Sequence, residues 1–148
     1  MEFLPADDLY TDELRLVLDH TSPGDAIRGW VPAYYFHICA PDGTVMGSCD
    51  LRLGHNRNTW YGGNIGYRIE EAYRGRHYAA KACRLLFTLA RRHGMDFLII
   101  TCNPDNVPSR RTCELLGGRL LETAALPEDN DMRREDGELE KCIFHFTL

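Results

Sequence analysis

Tyr73-Arg74-Gly75-Arg76-His77-Tyr78-Ala79 is the stretch on which the fold turns. It is a glycine-containing basic turn. Before it stands a strand-like run, Asn64-Ile65-Gly66-Tyr67-Arg68-Ile69, whose Gly66 marks a bulge or a close backbone approach. After it a helix is predicted over Ala79–His93, with Ala79, Ala82, Cys83, Leu86 and Ala90 at helical spacing and Gly94 in the stop position. Phe97-Leu98-Ile99-Ile100-Thr101-Cys102 then reads as a strand buried on both faces. In a strand–turn–helix–strand unit the helix start presents unbonded N–H groups and the positive end of its dipole. A turn aiming more N–H groups the same way makes an anion cradle, and Arg74, Arg76 and Lys81 add formal charge there. A phosphate or pyrophosphate is its natural occupant; a solvated helix start is the alternative.

Toward the C-terminus, Asn103-Pro104-Asp105-Asn106-Val107-Pro108-Ser109 leads into a second helix, about Pro108–Leu116, closed by Gly117-Gly118. Asn106 or Ser109 caps it, with Pro108 in the first turn. Arg119–Ala124 and Cys142–Leu148 are closing strands joined by an acidic loop. Toward the N-terminus, Tyr34–Cys39 and Val45–Leu53 form a hairpin across the turn Pro41-Asp42-Gly43-Thr44, with Val45, Gly47, Cys49 and Leu51 on one face. His55-Asn56-Arg57-Asn58 reads as a polar loop and Thr21–Asp25 as another. Leu14, Leu16 and Leu18 alternate with Glu13, Arg15 and Val17, which favours a strand; a helix face of Leu14, Val17 and Leu18 competes. The class is α/β: a mixed sheet with helices crossing over between strands.

The 148 residues suffice for one domain with a substantial core, and residues 1–148 are read as a single unit. An apolar share of 44% and a charged share of 26% exclude a disordered or fibrous chain. There is no apolar run of membrane-spanning length, and the acidic opening Met1–Asp8 lacks the pattern of a secretory signal, so a soluble cytoplasmic protein without a membrane partner is expected. The six cysteines are at least ten positions apart, a spacing that fits neither zinc nor redox motifs; they read as small buried apolar residues, and no metal is expected. The net charge of −5 argues against general nucleic-acid binding. Its distribution is uneven: residues 72–93 carry six Lys/Arg and no acid, whereas residues 126–140 carry seven acids and two arginines.

The two glycine-bearing elements together are more specific than either alone. Tyr73–Ala79 resembles the acetyl-CoA pyrophosphate loop of the GNAT N-acetyltransferase superfamily, [QR]-x-x-G-x-[GA]. Asn103–Ser109, followed by Glu114-Leu115-Leu116-Gly117-Gly118, resembles the superfamily's later N-x-x-[SA] helix and its E-K-x-G-F ending. The resemblance covers roughly residues 33–148 and is nearest the branch that includes the ribosomal-protein alanine acetyltransferases. It implies a three-layer α/β/α acyl-CoA N-acyltransferase fold with a shortened N-terminal region, and acetyl-CoA as cosubstrate. The backbone N–H groups of Arg76, His77, Tyr78, Ala79 and Ala80, in the loop of Arg74 and Gly75, hold the pyrophosphate in this reading. Tyr67 to Ile69 pair with the pantetheine arm, Asn106 fixes that arm, and the acetyl group lies where the strands ending near Ile69 and Cys102 splay apart. Three positions depart from the pattern: His77 stands for Gly, Cys113 for the Tyr that protonates the leaving thiolate, and Gly118 for Phe.

Transfer to an amine needs a neutral nitrogen, a polarised carbonyl and a proton path. Glu70, Glu71 and His55 are the candidate bases, and Ser109 and Tyr67 the candidate proton donors. The expected acceptor is a small-molecule or peptide amine; the resemblance implies that the acidic loop lies beside the acceptor cleft, where Glu135, Asp136, Glu138 and Glu140 attract a cation, and a solvated surface loop is the alternative. A catalytically silent acyl-CoA-binding module is the competing reading. A homodimer formed through exposed strand edges is compatible with the resemblance.

Overall fold

The computed structural model describes residues 2–148. Seven strands and four α-helices follow in the order β1 (Arg15–Ser22), β2 (Ala33–Cys39), β3 (Val45–Arg52), α1 (Arg57–Gly62), β4 (Ile65–Ile69), α2 (Tyr78–Arg92), β5 (Phe97–Cys102), α3 (Val107–Leu115), β6 (Arg119–Ala125), α4 (Asp131–Asp136) and β7 (Glu140–Thr147). The α/β class holds, and the sheet is divided. β1-β2-β3-β4 form one sheet and β5-β7-β6 another, all ladders antiparallel. α2 crosses from one sheet to the other, so β4 and β5 face each other as two strand edges.

Alternation along the strands decides what each layer buries. Leu98, Ile100 and Cys102 of β5 join Phe36, Ile38, Cys49 and Leu51 in one core beneath the apolar stripe of α2, Ala82-Cys83-Leu86-Leu89-Ala90. Ile99 and Ile143 are also buried but lie outside that cluster. Their strands meet α1, which supplies the third layer. The contiguous apolar run of β5 is thus explained: both its faces are covered.

Three local expectations are corrected. Residues 57–62 are helical, because Asn56 accepts the Thr59 N–H and the Thr59 hydroxyl accepts the Asn56 N–H; this capping box was hidden in the polar run. Val45 is exposed and Met46 buried, because a bulge shifts the β2–β3 register between Ile38 and Cys39. Thr21 and Ser22 belong to β1, whose own bulge between Leu18 and His20 leaves Leu18 exposed. β1 and β2 are joined by residues 23–32 without a helix, closed by a single bridge between Asp25 and Trp30.

Candidate functional site

Asn64 is where the two sheets meet. Its backbone N–H donates to the Ile99 carbonyl at 2.6 Å and its Oδ1 accepts the Ile99 N–H at 2.9 Å. Its Nδ2 donates to the carbonyls of Arg52 and Gly54 at 3.0 and 2.7 Å, and the residue is wholly buried. Beyond this point β4 and β5 part. Gly66 and Arg68 are directed to β3, as the flanking bonds Arg52 N–H to Asn64 O and Glu70 N–H to Met46 O require. The backbone groups of Ile65, Tyr67 and Ile69 therefore face the gap. A strand edge in this position can pair with an extended, amide-bearing ligand.

The gap opens into a cleft of about 1080 Å³ that reaches from the α2 start to the acidic loop. At its first end, His77 is the N-cap of α2 with φ 62° and ψ 24°; it is the non-glycine residue at positive φ among the described residues. His tolerates this left-handed conformation better than a branched side chain does, which explains how it replaces Gly. No side chain caps the helix, and a Cβ on Gly75 (φ +85°) would meet nothing within 4 Å. The first amides of α2 are thus left open beside a turn with room for a ligand. Ala80 is buried beneath them, and Arg76 is exposed outside the cleft lining. Arg74 folds back, its Nε donating to the Ile69 carbonyl at 2.9 Å. Arg111 of α3 lines the same wall and was missed in the sequence. The signal for it is helical spacing: Pro108, Arg111, Thr112 and Leu115 share the cleft-facing stripe.

In mid-cleft, Tyr67 and Ser109 share a 2.6 Å hydroxyl–hydroxyl hydrogen bond. Burial pushes the Tyr67 phenol well above its ordinary range, and the bond to Ser109 only partly opposes this. Asn106 caps α3 by accepting the Ser109 N–H at 3.2 Å while also lining the cleft. Cys113 is fully buried, and the hydrogen bond to the Cys102 thiol together with burial pushes its own thiol up. It is a packing residue and not a thiolate. All six cysteines are buried and unbridged.

The remaining candidates lie elsewhere. Glu70 and Glu71 are exposed and outside the lining, although Ile69 is part of it. His55 stacks on Phe97, with centroids 4.0 Å apart, and burial lowers its pKa; it is packing, away from the cleft. Of the acidic loop, only Met132 and Glu138 line the cleft, joined by Asn103 and Lys141. Glu135, Asp136 and Glu140 are exposed to solvent.

The fold is shared with solved acetyltransferase structures. A ribosomal L7/L12 α-N-protein acetyltransferase, RimL, in complex with coenzyme A superposes with a TM-score of 0.61 at 20% identity, over 82% of this chain and 64% of that one. The ribosomal-protein-S5-alanine acetyltransferase from Vibrio fischeri gives 0.61 at 15%, over 78% and 61%. The microcin C7 self-immunity acetyltransferase MccE, in complex with acetyl-CoA and AMP, gives 0.59 at 19%, over 78% and 61%. The chain thus spans less than two thirds of the length of these structures. No curated protein sequence matches it. The model of the acetyltransferase (GNAT) domain matches residues 4–119, most of the chain, which therefore belongs to the GNAT acetyltransferase family.

Proposed function

We propose that the protein is an acetyl-CoA-dependent N-acetyltransferase that moves the acetyl group directly to a primary amine. The observation that carries this reading is the uncapped start of α2, where the free amides of Tyr78 and Ala79 stand beside an open turn at the end of a cleft lined by the unpaired edge of β4. In this reading those amides and that of His77 hold the diphosphate, Arg74 and Arg76 add charge, and Asn106 with the Tyr67–Ile69 edge orients the pantetheine arm. The amide of Ile69 polarises the thioester carbonyl.

The amine nitrogen attacks the carbonyl carbon. A C–N bond forms, the C–S bond breaks and the electron pair leaves on sulfur. The nitrogen sheds one proton to water as the amide forms, and the Tyr67–Ser109 pair delivers one to that sulfur and is reprotonated from water: Tyr67, kept protonated by burial, is a donor held ready at neutral pH. Glu70 reaches the reacting atoms only through water. The same chain read as a silent acyl-CoA-binding module draws support from buried Cys113 standing where the family pattern has a tyrosine.

A thermal-shift titration with acetyl-CoA tests the reading. Ligand at 100 times its Kd adds about 2.7 kcal/mol of apparent stability. Reversal of both Arg74 and Arg76 to Glu removes the shift. Absence of a shift in the unaltered protein refutes the assignment. A shift without release of thiol across a panel of primary amines replaces it with the silent module.

A further inference from the structure

Of the 17 Lys and Arg residues in the chain only two are lysines, Lys81 and Lys141. Lys81 lies on α2, its side chain 31% exposed and paired with Glu13. Lys141 of β7 is the only charged residue that is buried among the described residues, its side chain 9% exposed. A lysine is seldom enclosed unless something holds its charge, and here Glu138 does, with Oε2 2.6 Å from Nζ. Asn103 fixes Glu138 in turn, its Nδ2 donating to Oε1 at 3.3 Å. No well-directed hydrogen bond occupies Oε2, which leaves that oxygen able to take a proton. The group is enclosed without being sealed: Lys141, Glu138 and Asn103 all line the cleft beside Cys102, where β4 and β5 have parted.

The two faces of the sheet decide what this lysine can reach. Cys142, Phe144 and Phe146 of β7 belong to the core beneath α2, so by alternation Lys141 and Ile143 belong to the other face of the strand, which meets α1. Tyr67 packs against the core on the α2 side, where it bonds Ser109. The hydroxyl pair and the Lys141 amine therefore stand on opposite sides of the gap between β4 and β5. Resting on the acetyl-transfer reading, we infer that the protein acetylates its own Lys141 from acetyl-CoA bound in its own cleft. Glu138 takes one proton from Nζ, and the free amine attacks the thioester carbonyl carbon. A C–N bond forms and the C–S bond breaks, with the electron pair leaving on sulfur. The new amide sheds its surplus proton to water, the Tyr67–Ser109 pair protonates the sulfur from the opposite side and is refilled from water, and Glu138 returns its proton to solvent. The product amide carries no charge, so Glu138 loses its counter-charge and this end of the cleft turns from balanced to negative.

Lys81 is the internal control, because chemistry without a cleft follows exposure. The unaltered protein is incubated with acetyl-CoA or with acetyl phosphate, a small donor that needs no cleft, and the acetyl groups are located by peptide mass spectrometry. Acetyl phosphate is expected to modify the more exposed Lys81 faster. With acetyl-CoA the order inverts, and Lys141 gains its acetyl group at least tenfold faster than Lys81, at a rate constant independent of protein concentration. Excess free CoA suppresses the Lys141 adduct and leaves the Lys81 background unchanged. Lys141→Arg keeps the ion pair and the acetyl-CoA thermal shift and loses the fast mass gain of the intact protein. Glu138→Gln removes the proton acceptor and slows the Lys141 adduct about 100-fold with the thermal shift intact. Modification of Lys81 as fast as Lys141 by acetyl-CoA, or a Lys141 adduct that free CoA does not suppress, overturns the inference while the thermal shift stands. Absence of that shift in the unaltered protein overturns the acetyl-transfer reading, and the inference with it. If Glu138→Gln does not fold, the comparison of the two donors in the unaltered protein decides.

Discussion

Replacing Asn64 by Ala removes the side chain that fixes where the two sheets join. The substitution deletes three hydrogen bonds, of 2.9 Å from the Ile99 N–H and of 3.0 and 2.7 Å to the Arg52 and Gly54 carbonyls. Each is worth about 1 kcal/mol net, and a buried group left without a partner costs about 1–3 kcal/mol. Ile99 is 1% exposed, so its N–H has no route to water, while the two carbonyls recover part of their loss by local relaxation. The expected total is about 3–5 kcal/mol. For a domain of this size each kcal/mol moves Tm by about 2–4 °C, which places the fall near 10 °C. Urea titration monitored by far-ultraviolet circular dichroism gives the free energy directly, with the midpoint lowered and the slope unchanged. Because the backbone bond from Asn64 N–H to Ile99 O survives, the variant still folds, with the parting of β4 and β5 less well fixed. A loss below 1 kcal/mol refutes the claim that Asn64 holds the split sheet at this point.

Other expectations follow from the same geometry. Gly47→Ala places a Cβ 2.2 Å from the Arg68 backbone carbonyl, whereas Gly66→Ala meets the movable Asp50 Oδ1 at 2.6 Å; equilibrium unfolding is expected to show the first as the more damaging, by about 1–2 kcal/mol. His77→Val puts a β-branched residue at φ 62° and lowers stability by about 1–2 kcal/mol, whereas His77→Gly keeps the helix start and the acetyl-CoA thermal shift. Burial lowers the pKa of His55 and of His93, the latter 2.6 Å from the Tyr34 hydroxyl. The unfolded chain then binds more protons than the native one between the depressed values and about 6.5, so stability is complete above about pH 6.5 and lost as pH falls through that window. Melts from pH 7.5 to 5.5 are expected to show a fall that shrinks in His93→Gln; an unchanged slope in that variant removes His93 from the account.

The fold was legible where local chemistry is strong. Gly94 at φ +76° ends α2 where the sequence placed the stop, and the unbroken apolar run of β5 announced its two covered faces. Of the two readings of Gly66, a bulge or a close approach, the regular β3–β4 register leaves the second, and it is the Asp50 side chain that stands over it. What failed was set by contacts distant in sequence. The capping box at Asn56 hid among polar residues, and the bulge that turns Val45 outward depends on its pairing with β2. The site shows the same division. The loop and cap, Arg74–Ala80 and Asn106, are contiguous motifs and could be read directly. Glu138 and Lys141 stand three positions apart in the chain, but Asn103 meets them only because β7 pairs with β5; Glu70, a candidate for its position at a strand end, is exposed.

The basic block between residues 72 and 93 first suggested an anion held by charge, and its partners argue for a different balance. Arg92 makes a two-pronged bond to Asp8 at 2.8 Å, Lys81 pairs with Glu13, and Arg74 commits its Nε to Ile69. Asp8 and Glu13 belong to the segment that precedes and enters β1, so these pairs fasten that segment to α2. Two of the six cations in the block, Lys81 and Arg92, are thereby neutralised, and Arg74 is held in place without losing its charge. What remains at the helix start is directional: amides with no side-chain cap and a left-handed His77 that turns the chain into them. Such a cradle discriminates by geometry, because an N–H recognises an oxygen only along its own axis. Salt screening weakens exposed charges more than enclosed hydrogen bonds. If the reading of this end is right, acetyl-CoA affinity falls only modestly between low and moderate ionic strength. A steep dependence on salt instead assigns the work to Arg74, Arg76 and Arg111 and demotes the amides.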